Sequence, residues 1–138
     1  MQTIKIKTDT TRSEKELFEI LDAVPKPNSY VWSILWFDGV LNKDRKLNIF
    51  DFEALTNDSH NGLILDFKGL KAVAETFYQP YDLLLVAAKK DQEIIRLRDE
   101  RKLKRMYPIV IELVDCSFWE ISSSLEEFVK RLEEQGKK

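Results

Sequence analysis

Thr3 to Thr8 alternates polar and apolar residues as Thr-Ile-Lys-Ile-Lys-Thr. That period of two predicts a short strand, half-buried or at a sheet edge. The period then lengthens. Leu17, Phe18, Leu21 and Val24 recur at helical spacing, and Ser13 precedes Glu16 by the three positions of a capping box. A helix is predicted from Glu14 to Ala23, ended by Pro25 and Pro27. Ser29 to Phe37 is rich in β-branched and aromatic residues and free of breakers, which predicts the strongest strand of the chain. Simple alternation places Trp32 and Trp36 on one of its faces and Val31 and Phe37 on the other. Both faces are then apolar, as in a central strand.

Asp38-Gly39 signals a turn, and Asn42 to Lys46 a second, polar one. Leu47 to Phe52 suits a returning strand, although Phe50, Glu53 and Ala54 also suit a short helix. Thr56 to Gly62 has the composition of a loop, and Gly62 to Phe67 reads as a buried strand. Leu70, Val73, Ala74 and Phe77 share a face of a helix expected over Gly69 to Tyr78 and ended by Pro80. Leu83-Leu84-Leu85-Val86 is expected as a central strand, the alternative being one long helix from Asp82 to about Arg105. Lys89 to Arg105 fits a solvated helix with a thin stripe at Ile94, Leu97 and Arg101. Pro108 to Val114 predicts a strand continuing past Asp115-Cys116 into Phe118-Trp119-Glu120-Ile121. Ser123 and Glu126 repeat the capping-box spacing before a closing helix, about Ser124 to Glu134, with Gly136 at its end.

Strands and helices do not alternate regularly in this order, so a doubly wound parallel sheet is not expected. The reading is a single α+β domain spanning 1–138, with a mixed or mostly antiparallel sheet and three to four helices packed on it. A chain of 138 residues, 43% hydrophobic, is long enough to bury its own core. The one cysteine, Cys116, excludes an internal disulfide and suits a reducing compartment. It is expected as a buried thiol. The longest apolar run, Leu83 to Ala88, falls far short of the roughly 20 residues of a membrane span. The N-terminal segment lacks the apolar stretch of a signal peptide. A cytoplasmic location is the expectation.

Candidate chemistry is sparse. The single histidine, His60, lies among turn formers in Asn57-Asp58-Ser59-His60-Asn61, where a surface position is expected. A Ser–His–Asp or Cys–His site would have to use it. No Cys/His cluster, calcium-loop spacing or phosphate-binding glycine motif occurs, so neither metal nor cofactor is expected. Two charged stretches stand out against a net charge of −2. Lys89 to Arg105 carries eight Lys/Arg against four Asp/Glu, an excess of four positive charges. Asp38 to Asp66 carries Asp38, Asp44, Asp51, Glu53, Asp58 and Asp66 against Lys43, Arg45 and Lys46, an excess of three negative charges. Those six carboxylates are the candidate partner-binding residues, since an acidic surface steers a basic protein partner. Trp32, Trp36, Phe37, Phe50 and Phe52 cluster in the same region. Any one of these rings left exposed would make an interface anchor.

Size, mild acidity and the lack of catalytic residues resemble the small immunity proteins of bacterial polymorphic-toxin and contact-dependent growth inhibition systems. Tyr107 to Ile121 is similar to the strand-Asp-Cys-strand ending of an uncharacterised bacterial domain family. The first resemblance implies a non-enzymatic inhibitor that occludes a cognate toxin domain, expected to be a basic nuclease. Two alternatives stay open: a nucleic-acid-binding or regulatory module using Lys89–Arg105, and an enzyme working through paired carboxylates.

Overall fold

The computed structural model describes residues 1–9, 13–42 and 49–136. Among them six strands form one sheet: β1 (Gln2–Lys7), β2 (Tyr30–Leu41), β3 (Leu63–Leu65), β4 (Phe77–Lys89), β5 (Ile109–Val114) and β6 (Phe118–Ser123). Five α-helices accompany them among the described residues: α1 (Ser13–Asp22), α2 (Ile49–Asn57), α3 (Phe67–Ala74), α4 (Glu100–Met106) and α5 (Glu126–Gly136). The sheet order is β1-β6-β5-β4-β2-β3, and every neighbouring pair is antiparallel. This is the expected α+β architecture, with one helix more than expected. Among the described residues no helix is long and apolar enough to cross a membrane.

Alternation along the strands sends two sets of apolar side chains to opposite faces. On the first face Trp32, Ile34, Phe37, Leu83, Leu85, Ile111 and Trp119 meet Leu17 and Leu21 of α1, Phe52 of α2, Leu70 of α3, and Phe128 and Leu132 of α5. The Phe37 ring stacks on Phe77 at 4.5 Å and meets Phe52 edge-on at 5.1 Å. Burying each such side chain contributes roughly 1.5–3 kcal/mol, so this face carries most of the stability. The second face is covered over part of its area. There Leu35, Val86, Ala88 and Val110 lie under Ile94, Leu103 and Tyr107, from α4 and the segments flanking it. The Tyr107 hydroxyl closes the cover, accepting from Ile95 N–H and donating to the Glu93 carbonyl.

Several expectations are corrected by long-range pairing. Trp32 and Trp36 do not share a face. A β-bulge between Ile34 and Trp36 shifts the register against β4, so Trp32 is buried in the first core while Trp36 stands 45% exposed. Asp38-Gly39 is no reversal: β2 runs on to Leu41 through a second irregularity. Gly39 is needed there because a Cβ would sit 2.6 Å from the Gln79 carbonyl oxygen. Residues 49–57 are helical, which decides for the helix at Leu47–Phe52, although 47 and 48 lie outside the described residues along with most of the Asn42–Lys46 turn. The expected buried strand at Gly62–Phe67 is a short edge strand with Ile64 exposed. Its neighbouring helix ends at Ala74, and Pro80 sits inside β4, beside the bulge that tolerates it.

The Asp82–Arg105 ambiguity resolves as strand, irregular segment and short helix. Only Glu100–Met106 is helical, because Ile94 is drawn onto the sheet in non-helical backbone. Asp115 and Cys116 turn the chain rather than extend it, both at positive φ (48° and 54°), with Ser117 N–H donating to the Val114 carbonyl. This is the primed turn that suits a hairpin. Cys116 is accordingly half-buried in a turn, its sulfur accepting from Gln79 Nε2, and not a strand thiol in the core. At α1, Glu16 receives the Thr8 hydroxyl and the Asp9 N–H, so it anchors the strand-to-helix link. Ser123 ends β6 and does not cap α5: its hydroxyl accepts from the N–H of Leu125, the residue before the helix, while donating to the Pro108 carbonyl.

Candidate functional site

The uncovered part of the second face holds the most unusual chemistry among the described residues. Its position follows from the bulge in β2. Doubling residues 35 and 36 against β4 leaves Leu35 buried under the α4 cover and pushes Trp36 out beyond it. From Trp36 one cross-strand row runs across the sheet: Trp36 opposite Leu84, Leu84 opposite Glu112, Glu112 opposite Glu120, Glu120 opposite Lys5. Further from α4, Asp38 lies opposite Asp82 on β4, and Val114, Phe118 and Lys7 are paired in turn. Leu84, Val114 and Phe118 are half-buried, giving an apolar floor between the charges.

Two like-charge pairs therefore sit directly across neighbouring strands, Asp38 with Asp82 and Glu112 with Glu120. Each such pair is destabilising, by a few tenths to about 1 kcal/mol. Partial compensation is visible. Lys104 of α4 places its Nζ 2.7 Å from Glu120 Oε1, with both side chains less than one fifth exposed. Asp82 Oδ1 accepts from the Asp115 N–H at 3.0 Å, tying the charge to the β5–β6 turn. Lys5 is drawn over the Phe118 ring, its Nζ 5.3 Å from the ring centroid. Glu112 remains under-compensated. Burial pushes its carboxyl above the ordinary carboxylate range; Glu100, Glu120 and Asp82 push the same way, and Lys104 opposes them. This row is a carboxylate centre with an exposed indole at one end and lysines at the far edge.

The six carboxylates singled out by sequence are carried by separate elements. Asp38 belongs to the open face. Asp51 is exposed and Glu53 half-exposed on α2, the helix that lays Phe52 into the first core. Asp58 follows α2 and faces Arg96, whose guanidinium burial makes less basic while Asp58 opposes that shift. Asp66 caps α3, its Oδ1 accepting from Gly69 N–H at 2.7 Å. Asp44 lies outside the described residues. The structure thus joins Asp38 to Asp82, Glu112 and Glu120, three residues the charge count did not single out. A signal for the last two was available. Glu112 and Glu120 each interrupt an otherwise apolar strand, Ile111-Glu112-Leu113 and Trp119-Glu120-Ile121.

The basic stretch splits likewise. Arg96 turns inward, and its guanidinium donates to the Thr56 and Ser59 carbonyls while its backbone N–H donates to the His60 carbonyl. Lys104 is committed to Glu120, and Lys89, Lys90, Arg98, Arg101, Lys102 and Arg105 are exposed. His60 is exposed, as expected for a loop histidine. Among the described residues no group of three or more His, Cys, Asp or Glu is arranged to hold a metal ion. A cavity of about 240 Å³ beside Lys89, Lys104, Arg105 and Tyr107 is smaller than the roughly 300 Å³ at which small-molecule pockets begin. No protein-family model, curated protein or solved structure matches this chain.

Proposed function

We propose that the chain is a binding protein whose open, acidic sheet face receives a basic protein partner, and that it serves as an immunity protein occluding a bacterial toxin domain, with a nuclease as the expected target. One observation carries the docking reading. Two like-charge cross-strand pairs lie on the uncovered face beside an exposed tryptophan. The fold alone gains nothing from that arrangement, whereas a cationic partner converts both repulsions into attraction. Exposed Trp is also the residue type that most often anchors an interface. The toxin assignment adds the resemblance in size and charge to small immunity proteins.

The direct test is calorimetric titration with the C-terminal domain of the product encoded immediately upstream. Nanomolar one-to-one binding that abolishes that domain's toxicity supports the assignment. No binding at tens of micromolar removes it. The double charge reversal Asp38→Lys with Glu112→Lys should slow association by about tenfold or more if this face is used. An unchanged rate moves the interface elsewhere. The six exposed cations of Lys89–Arg105 support a second reading, nucleic-acid binding. Absence of any oligonucleotide complex at low salt, where phosphate contacts are strongest, sinks it.

A further inference from the structure

The open face has a specific shape between Trp36 and Glu112. Neighbouring strands lie about 4.8 Å apart, so these two residues stand about 10 Å apart at the backbone, with Leu84 between them. Both side chains rise above Leu84, one presenting an indole and the other a carboxylate. Leu97, like Leu84, is half-buried against the second core cluster. The register thus sets an apolar floor between an exposed aromatic and an anionic side chain, a slot one residue wide.

We propose that the partner fills this slot with one arginine, its guanidinium lying on Leu84 between the Trp36 indole and the Glu112 carboxylate. This rests on the docking reading above and narrows it to a side chain. A planar, weakly hydrated guanidinium stacks on an indole and lies over apolar surface while its edge bonds a carboxylate in bidentate fashion. A lysine ammonium is a strongly hydrated point charge and gains less from the floor and the ring. An apolar side chain would leave the carboxylate buried and unpaired. The charge count agrees. Glu112 faces Glu100 and Lys104 from α4, Glu120 from β6 and Asp82 from β4, and Lys104 already serves Glu120. Four carboxylates around this point thus face one α4 lysine, and the local excess is negative.

The test uses the intact protein and two probes, nona-arginine and nona-lysine peptides at low ionic strength. Trp32 and Trp119 are fully buried, so a change in tryptophan emission on titration reports Trp36. The arginine peptide is expected to bind about fivefold or more tightly than the lysine peptide. Glu112→Gln is expected to lower arginine-peptide affinity by about fivefold or more, and Trp36→Ala, followed by calorimetry, to lower it by a similar factor. Glu133→Gln, on the exposed side of α5, is expected to leave it unchanged. Affinity should also fall as pH is lowered through the Glu112 titration, and Glu112→Gln should flatten that dependence.

Equal affinities for the two peptides, or no effect of Glu112→Gln, overturns the arginine slot and leaves a generally basic partner standing. Binding of neither peptide overturns the docking reading with it. A Glu133→Gln loss matching that of Glu112→Gln also overturns the slot, because attraction would then be diffuse.

Discussion

The two faces of the sheet are made from the same strands and solve different problems. On the first, each strand contributes inward apolar side chains, and four helices cover them. On the second, the same strands alternate to Leu35, Val86 and Val110 near α4 and then to Glu112, Glu120, Asp38 and Asp82 beyond it. One cover of seven helical residues and a short segment suffices because only part of that face is apolar. The contrast teaches that the limit of a hydrophobic core is set strand by strand. Where the alternation delivers a carboxylate in place of valine or leucine, the apolar cover ends, and Glu120 at its margin is held by Lys104 of α4, since an ion taken out of water without a partner costs several kcal/mol.

Adjacent substitutions on β2 give the sharpest test of that contrast. Phe37→Ala opens a hole among Phe52, Phe77 and Leu83 and should cost about 3–5 kcal/mol in urea unfolding. Trp36→Ala, one residue away and half in water, should cost less than about 1 kcal/mol. Similar losses from the two would show that the open face is structural core. Arg96→Met comes next. Removing the guanidinium leaves the Thr56 and Ser59 carbonyls without their charged donor, for an expected loss of about 2 kcal/mol in the same assay.

Smaller effects should have the opposite sign. Asp38→Asn relieves a like-charge pair and should raise stability by a few tenths to about 1 kcal/mol at neutral pH. A loss instead would mean that Asp38 makes a favourable contact. Glu112 supplies the pH test. Its folded pKa is raised, so the folded state holds the proton more tightly than the unfolded chain. This group therefore disfavours folding above its folded pKa, and the penalty disappears as pH falls from there to the unfolded value. Glu112→Gln should gain most over the parent protein at neutral pH and lose that advantage near pH 4, as followed by thermal unfolding. A pH-independent difference would assign the effect to something other than this carboxyl.

Much of this architecture is legible in the residues themselves. The period of two in β1 and the apolar stripes of α1 and α5 are local signals, and the structure follows them within a few residues. What failed to show was non-local. A bulge needs a partner strand to define it, so nothing within Ser29–Phe37 says that Trp36 leaves the face of Trp32. Pro80 reads as a helix stop until β2 lies beside it with a matching irregularity. Lys89 to Arg105 has the charge spacing of a helix, yet burial of Ile94 and the Tyr107 bridge hold its first half irregular. The candidate surface suffers in the same way. Charge counting along the chain found Asp38, but Asp82, Glu112 and Glu120 reach it only through antiparallel register.

Past the end of β3, the side-chain amide of Asn57 receives the Phe37 N–H and donates to the Phe37 carbonyl, doing with one residue what another strand would do with its backbone. β2 continues beyond the reach of its short neighbour, and without that amide its outer rim would present unpaired backbone to any extended peptide. Such rims nucleate sheet-to-sheet stacking between molecules. Asn57 thus acts as a seal against self-association, and Asn57→Ala would be the variant to watch for slow polymerisation on storage.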